Sequence, residues 1–269
     1  NKRVVTVAGP SSSNKTTFAK RLAIQLRVNG CKSVVVEMDD FYKNRVDIPF
    51  GENGEQDFES IDALNIPILT EKVRALLNGE SVHRHRFDFK DGVGIEMDEQ
   101  FSLGPKDFLI IEGIHGLNPI LLDSIGRDNV CPIYVSALTP MHLDDNHRFP
   151  TSDLRLIRRI VRDYNFRGYS PRETIRRWTS VRLGEERNIF PYQGNAEFFF
   201  NSSMVYELAI LSVDGKALLA EATVPSPNED PDSPVAKDIT REARRLLGLL
   251  NFFYPASKEI VPHISCIRE

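Results

Sequence analysis

The stretch that decides the fold is Val4-Val-Thr-Val7, then Gly9-Pro-Ser-Ser-Ser-Asn-Lys-Thr-Thr17, then Phe18-Ala-Lys-Arg-Leu-Ala-Ile-Gln-Leu26. The β-branched run predicts a strand, the polar loop a tight turn, and the residues after it a helix. Strand, loop and helix are the setting in which G-x-x-x-x-G-K-[ST] becomes a phosphate-binding loop, or P-loop. Gly9, Lys15 and Thr16 fit that pattern, and Asn14 stands where the second glycine is expected. Successive backbone N–H groups at a helix N-terminus make a concave anion site, and the helix dipole adds to it. The nucleotide-binding candidates are therefore Gly9, Ser11, Ser12, Ser13, Asn14, Lys15, Thr16 and Thr17. Lys15 is placed to reach the β- and γ-phosphates, and the Thr16 hydroxyl to hold Mg²⁺.

Asn14 has two readings. The position is expected to need a positive φ, and Asn is among the few non-glycine residues that enter the left-handed region. On that reading the loop keeps its shape at a cost of about 1 kcal/mol. On the other, the Asn14 side chain crowds the phosphates and weakens nucleotide binding.

The elements that follow predict an alternating α/β chain. Helix 15–29 ends at Asn29-Gly30, and Ser33 to Asp39 reads as a second buried strand. Strands joined through a helix imply a right-handed crossover and a parallel sheet. Residues 43–58 read as loop and Asp62 to Leu77 as helix. Lys90-Asp91-Gly92 between two alternating runs, 82–89 and 93–97, is a hairpin signal. Residues 108–113 and 132–137 read as strands, with a short helix over 118–125 between them. Helices are expected over 153–167 and 171–183, the first dense in arginine at 155, 158, 159, 162 and 167. Glu197 to Asn201 reads as the fifth strand, with Phe198-Phe-Phe200 buried. Residues 204–222 are apolar but ambiguous, 225–234 are Pro-rich, and an amphipathic helix is expected over 235–253.

Composition narrows the function classes. The chain has 269 residues, 41% of them hydrophobic, which is enough for a substantial core. Lys+Arg 34 against Asp+Glu 38 leaves a net charge of −4, so a non-specific nucleic-acid role is not expected of this chain. Cys31, Cys131 and Cys266 form neither a disulfide framework nor a CxxC metal site. That cysteine usage makes a reducing cytoplasm the expected setting, and no membrane span is expected, since no apolar run reaches the length of a spanning helix.

In an open α/β sheet, ligands sit outside the carboxyl ends of the strands. The loop 9–17, Asp39-Asp40 and Glu112 all fall there. Phosphoryl transfer needs a phosphate cradle, a metal holder, a base for the acceptor hydroxyl and positive charge over the transferring group. Asp39 is the candidate base, Glu112 with Thr16 the metal side, and the Arg-rich helix the source of charge. Singly, each has a plainer reading: a loop cap, a strand-end acid, a solvated helix face. His115, close after Glu112, either faces the acceptor or caps the next helix. His83, His85, His142 and His147 read as surface residues, and Trp178 as packing.

Taken together, Gly9-Pro-Ser-Ser-Ser-Asn-Lys-Thr-Thr, Met38-Asp-Asp-Phe-Tyr, Phe58-Glu-Ser-Ile-Asp-Ala, Phe87-Asp-Phe, Ile111-Glu-Gly-Ile-His and Arg155-Leu-Ile-Arg-Arg-Ile-Val-Arg-Asp…Arg167-Gly resemble the P-loop kinases that include uridine kinase and phosphoribulokinase. The resemblance runs from about residue 3 to about 210 and is strongest to the longer uridine-kinase-like subgroup. It implies an α/β P-loop NTPase fold of the nucleoside-kinase type. That fold has a five-stranded parallel sheet with helices on both faces, a β-hairpin insertion and an Arg-rich lid helix. It implies ATP or GTP as donor, Mg²⁺, and a small-molecule acceptor. Members of that subgroup often carry an N-terminal TGS-like module, so such a module ahead of residue 1 is left open, as is a homo-oligomer. The corresponding domain division is a kinase domain over 1–224, with the hairpin at about 82–98 and the lid at about 153–170. Residues 225–269 then pack on it as a Pro-rich loop and C-terminal helix.

Residue by residue, the resemblance makes Asp39, Lys15, Arg162 and Arg167 the catalytic set. Thr16, Glu112 and Asp39 fall on the metal side. Asp40, Tyr42, Glu59, Phe87, His115, Arg158 and Arg159 fall on the substrate side. The acceptor side departs from the short uridine kinases. Glu59 replaces an Asp, Phe87 replaces a Tyr, Gly92 stands where a base-recognising His is found, and Tyr169 and Trp178 stand near where Arg and Gln are found. A pocket selects a base by its polar groups, so kinase chemistry is implied more firmly than uridine. Two rivals remain: a kinase of another small alcohol, and a nucleotide-binding regulatory module without turnover.

Overall fold

A computed structural model describes residues 2–51, 54, 56–263 and 265–268. In chain order the main elements are β1 Val4–Ala8, α1 Lys15–Val28, β2 Ser33–Glu37, α2 Ile66–Leu77, β3 Val82–Asp88, β4 Val93–Phe101, β5 Phe108–Glu112 and α3 Pro119–Ile125. They continue as β6 Val130–Ser136, α4 Thr151–Arg167, α5 Pro171–Asn188, β7 Phe198–Asn201, α6 Glu207–Ala222 and α7 Pro234–Leu250. Two units are present. One comprises Asn1–Pro10, Asn14–Val135 and Gly184–Phe200, the other Ser11–Ser13, Ser136–Leu183 and Asn201–Glu269.

The first unit carries the five-stranded sheet, in the order β2-β5-β1-β6-β7. β1 pairs in parallel with β5, Val7 opposite Glu112, and with β6, Val7 opposite Ile133. β2 pairs in parallel with β5, setting Glu37 beside Glu112. Each parallel pair needs a crossover, and the helices that supply it cover the sheet. Val5, Val7, Ile110 and Val135 pack on Phe18, Ala19, Leu22 and Leu26 of α1. Val4, Leu109, Ile111 and Val130 face the other way, onto Leu69, Val73 and Leu76 of α2 and Leu121, Leu122 and Ile125 of α3. Burial on both faces is why these strands read as continuous apolar runs rather than alternating ones. β3 and β4 form a separate antiparallel hairpin.

Three local expectations are corrected. β2 stops at Glu37, and Asp39 and Asp40 lie on the 3-10 turn Met38–Phe41 that follows it. α2 starts at Ile66, because Asn65 caps it through the Ile68 N–H at 3.3 Å and a proline occupies its first turn. Asp62 belongs instead to a preceding 3-10 turn capped by Ser60. Phe198, Phe199 and Phe200 are exposed, not buried. They form the sheet's outer strand, with Phe200 against Phe18 and Phe199 against Tyr134.

The second unit is helical. Leu154, Ile157, Ile160 and Val161 of α4 share a core with Leu208, Leu211, Leu218 and Leu219 of α6 and Ile239, Ala243, Leu246 and Leu250 of α7. Most of the ambiguous apolar run at 204–222 is thus the helix Glu207–Ala222, buried on most of its circumference. Gly215 permits its close contact with α7, since a Cβ there would lie 3.0 Å from Leu250 Cδ1. α4 ends at Gly168, whose φ of 69° makes the left-handed cap that favours glycine. Among the described residues no helix is long and apolar enough to cross a membrane.

Candidate active site

The P-loop leaves β1 at Ala8 and enters α1 at Lys15. Asn14 takes φ 68° and ψ 35°, the left-handed conformation expected at the second glycine position, and Ser12 also has a positive φ of 58°. The Ser12 and Ser13 hydroxyls are buried with no hydrogen-bond partner among the described residues. Orphaned donors beside a helix N-terminus suit an anion. In the first unit, Lys15 Nζ donates to the Pro10 carbonyl at 3.4 Å, and Thr16 Oγ1 donates to Glu112 Oε1 at 2.6 Å.

Acidic charge gathers beside that pair. Glu37 is an exposed residue overall, yet its carboxyl is pushed above the usual range. Partial burial is the largest cause, followed by repulsion from Glu112, Asp40 and Asp39, with Lys20 opposing. Among the described residues no three His, Cys, Asp or Glu side chains form a cage for a metal. Mg²⁺ needs no such cage, because it takes one or two protein oxygens and keeps waters and substrate phosphates. The Thr16 hydroxyl and Glu112 carboxylate are hard oxygen donors, and the surplus of negative charge suits a divalent cation.

Of the acceptor-side candidates, Tyr42, Glu59, Phe87 and His115 lie in the same unit, whereas Arg158 and Arg159 belong to the second. The Tyr42 ring lies 5.4 Å from Phe58, 5.6 Å from Phe87 and 6.2 Å from Phe89, and its hydroxyl donates to the Phe58 carbonyl at 3.1 Å. Burial, then the charges of Asp39, Glu59 and Asp57, push the phenol well above its usual range, so it stays protonated. Asp39 thus acts electrostatically on both Tyr42 and Glu37. The Glu59 side chain lies along Gly184, where a Cβ would approach its Cγ at 3.1 Å. His115 is buried at 1% exposure, and neither ring nitrogen makes a hydrogen bond of ordinary geometry. Burial pushes it down to about 4, against the opposing Glu59 and Ser60 main chain and the Asp57 and Asp62 carboxylates. It is a neutral imidazole at pH 7.

Asp40 points elsewhere. It lines a small cavity with Val36, Leu69, Lys72 and His83, and burial raises its carboxyl while the Phe87 N–H, Arg86 and Arg84 oppose the shift. His85, expected at the surface, is half-buried and stacks on Phe41 at 5.0 Å.

In the second unit, α4 carries the arginines. Arg155 is 1% exposed, donates to the Ser11 carbonyl at 3.0 Å and lies 5.2 Å over the Trp178 ring. Arg158 is clamped by both Glu207 oxygens, at 2.7 and 2.9 Å, and reaches the Ser12 and Ser202 carbonyls. Arg159 Nη1 donates to Ser11 Oγ at 2.6 Å. Arg159, Arg162 and Arg167 all pair with one buried carboxylate, Asp163, at 3.3, 2.7 and 3.7 Å. Sequence reading counted Arg155 among the helix arginines without a separate role, and missed Asp163 and Glu207. Only Asp163 had a visible signal, its four-residue spacing from both Arg159 and Arg167.

The phosphoribulokinase/uridine kinase family matches residues 4–120. The uridine kinase of Bacillus subtilis is 30% identical over 182 residues, 67% of this chain and 76% of the relative. That of Halalkalibacterium halodurans is 29% identical over 178 residues, 66% of this chain and 75% of the relative. A solved Silicibacter kinase, provisionally named for a fructose transport system, is 18% identical. It covers 74% of this chain with a TM-score of 0.50, a likeness of fold. A P-loop ahead of a Thr16–Glu112 pair, on a sheet of this order and with relatives of this coverage, leads to one assignment: the chain belongs to the phosphoribulokinase/uridine kinase family and is a phosphotransferase acting on a hydroxyl of a small substrate.

Proposed function

We propose that the chain transfers the γ-phosphoryl group of ATP, or of GTP, to a hydroxyl of a ribose-bearing nucleoside such as uridine or cytidine. The observation that carries this reading is the 2.6 Å contact of Thr16 with Glu112 directly after a left-handed Asn14. It brings the two hard-oxygen candidates for a metal together at the carboxyl end of the sheet. Lys15 and the first-turn amides of α1 take the phosphates. Thr16 and Glu112 would hold Mg²⁺, which would supply neutralisation of charge on the phosphate oxygens. Asp39 accepts the proton of the acceptor hydroxyl, and Arg162 and Arg167 supply positive charge to the transferring group. The aromatic ring set of Tyr42, Phe58, Phe87 and Phe89 supports a flat acceptor.

Glu59, Phe87 and Gly92 favour a second reading, a kinase of another small alcohol, because the polar groups that read a nucleobase in short uridine kinases differ here. A panel of nucleosides, sugars and polyols with labelled ATP separates the two. Phosphorylation of uridine or cytidine above the other acceptors is the expected result, and activity confined to a non-nucleoside acceptor reverses it. Asp39→Asn is expected to retain ATP binding and lose about 10²–10⁴ in turnover, the range of a positioned acid–base group. A variant with native turnover removes Asp39 from that role.

A further inference from the structure

Asp163 is the buried centre of the α4 arginine set. It stands four residues from Arg159 and four from Arg167, so the three share one helix face, with Arg162 beside it. Arg159 Nε lies 3.3 Å from Oδ2, Arg162 Nη2 2.7 Å and Arg167 Nε 3.7 Å from Oδ1. The carboxylate is 2% exposed, whereas the side chains of Arg159, Arg162 and Arg167 are 15%, 25% and 52% exposed, a gradient from the core outward.

Elsewhere in the unit fewer arginines meet at one acid: Arg172 and Arg176 share Glu229. Arg158 meets Glu207 with both oxygens, and Arg245 is met by both Asp153 and Glu242. At Asp163 three guanidinium groups share one carboxylate, whose single negative charge cannot by itself neutralise all three. Each guanidinium carries five N–H donors, more in total than one carboxylate can accept. Positive charge and surplus donors, half-buried on one face, suit a multiply charged oxyanion. Arg159 also donates to Ser11 Oγ, and Arg155 to the Ser11 carbonyl, so the same face is tied to residues of the P-loop. The Asp163 carbonyl accepts from the Tyr169 N–H, which fixes the helix end where the dipole already favours cations.

We propose that Asp163 is a positioning residue: it is the shared counter-ion that gathers Arg159, Arg162 and Arg167 into one set and competes with phosphate oxygens for them. This rests on the reading of Arg162 and Arg167 as phosphate-directed. Without Asp163 the three like charges spread apart. The set then binds an anion more tightly, having lost its competitor, but presents it in a less defined geometry. A purely structural acid has neither effect.

The test uses the full chain with Asp163→Asn and Asp163→Glu. Calorimetric titration of inorganic tripolyphosphate reads the arginine set without any turnover. ATP kinetics read positioning, and thermal melting reads the fold. Asp163→Asn is expected to bind tripolyphosphate about fivefold more tightly, the order of a partly exposed charge pair. At saturating ATP it is expected to turn over about tenfold more slowly, the loss from imperfect positioning. Asp163→Glu is expected to return tripolyphosphate affinity to about the native value and to recover only part of the rate. Native anion affinity and native turnover in Asp163→Asn overturn the proposal. So does a loss of both that merely follows a lower melting temperature. If Asp163→Asn does not fold, Asp163→Glu decides: slower turnover with retained anion affinity supports the proposal, and native turnover overturns it. A native chain that phosphorylates no acceptor defeats the kinase reading, while the tripolyphosphate comparison still judges Asp163.

Discussion

Asn14 shows how far a single residue can be read. Its φ of 68° is the value expected of the glycine it replaces, because φ preference belongs to the residue and its immediate neighbours. The left-handed form costs Asn little, so Asn14→Gly is expected to change stability by no more than about 1 kcal/mol and nucleotide affinity by less than roughly tenfold. Titration of Mg²⁺–ATP into both forms measures this. A native chain that binds nothing at millimolar ATP, beside a glycine form that binds well, reverses it. His115 is a second residue-scale case. Its value falls from the usual 6.5 to about 4 through burial. Between those values the unfolded chain holds a proton that the folded chain does not. Stability is therefore full above about pH 6.5 and is lost as pH falls toward 4, by about 3 kcal/mol in all. Denaturant midpoints at pH 7 and pH 5 are expected to differ in the native chain and to draw together in His115→Leu; an equal difference in both removes His115 as the cause. The position of His115 in sequence beside Glu112 was visible, but its burial was not, since burial depends on the packing of residues 57–62.

At the scale of elements, periodicity gives existence and type, but not which face meets what. The β1, β5 and β6 runs were legible because both of their faces are covered. Phe198-Phe-Phe200 has the same apolar pattern and lies exposed, because position at the sheet edge is a property of topology and not of the strand's own residues. The arginines of α4 show the same limit. Their spacing was plain, but Glu207 lies 49 residues away, and nothing local marks it as the partner of Arg158. The pair is buried, with side-chain exposures of 8% and 1%. Removing one member strands a charge, at about 3–5 kcal/mol, whereas replacing both with apolar residues of similar volume is far milder. Glu207→Leu is accordingly expected to destabilise the chain by that amount, and Arg158→Met with Glu207→Leu to recover much of it. Denaturant unfolding of the two variants tests this, and a double variant no better than the single one contradicts it.

For the whole molecule, one motif, the alternation of elements and the hairpin signal were enough to reach the five-stranded parallel fold. The role of the C-terminal segment was not visible, because α7 meets partners that lie far away in sequence. Ala236, Ile239, Ala243, Leu246 and Leu250 of α7 are buried, the larger ones in the core shared with α4 and α6. Arg172 of α5 adds a polar tie, donating to the Ala222 carbonyl, the Thr240 hydroxyl and the Glu229 carboxylate. Fully burying an Ile or Leu side chain is worth about 1.5–3 kcal/mol, so Ile239, Leu246 and Leu250 together contribute roughly 5–9 kcal/mol. That is comparable to the whole stability of a typical domain, about 5–15 kcal/mol. A chain ending at Val224 is therefore expected to lose the ordered packing of α4 and α6, and with it the Arg158–Glu207 clamp and the arginine set on Asp163. Limited proteolysis should cut the shortened chain within 151–167 under conditions that leave the full chain whole, and phosphoryl transfer should fall to background. A shortened chain with native protease resistance and native turnover would mean that α7 is an accessory helix, and that the core of α4 and α6 is sufficient without it.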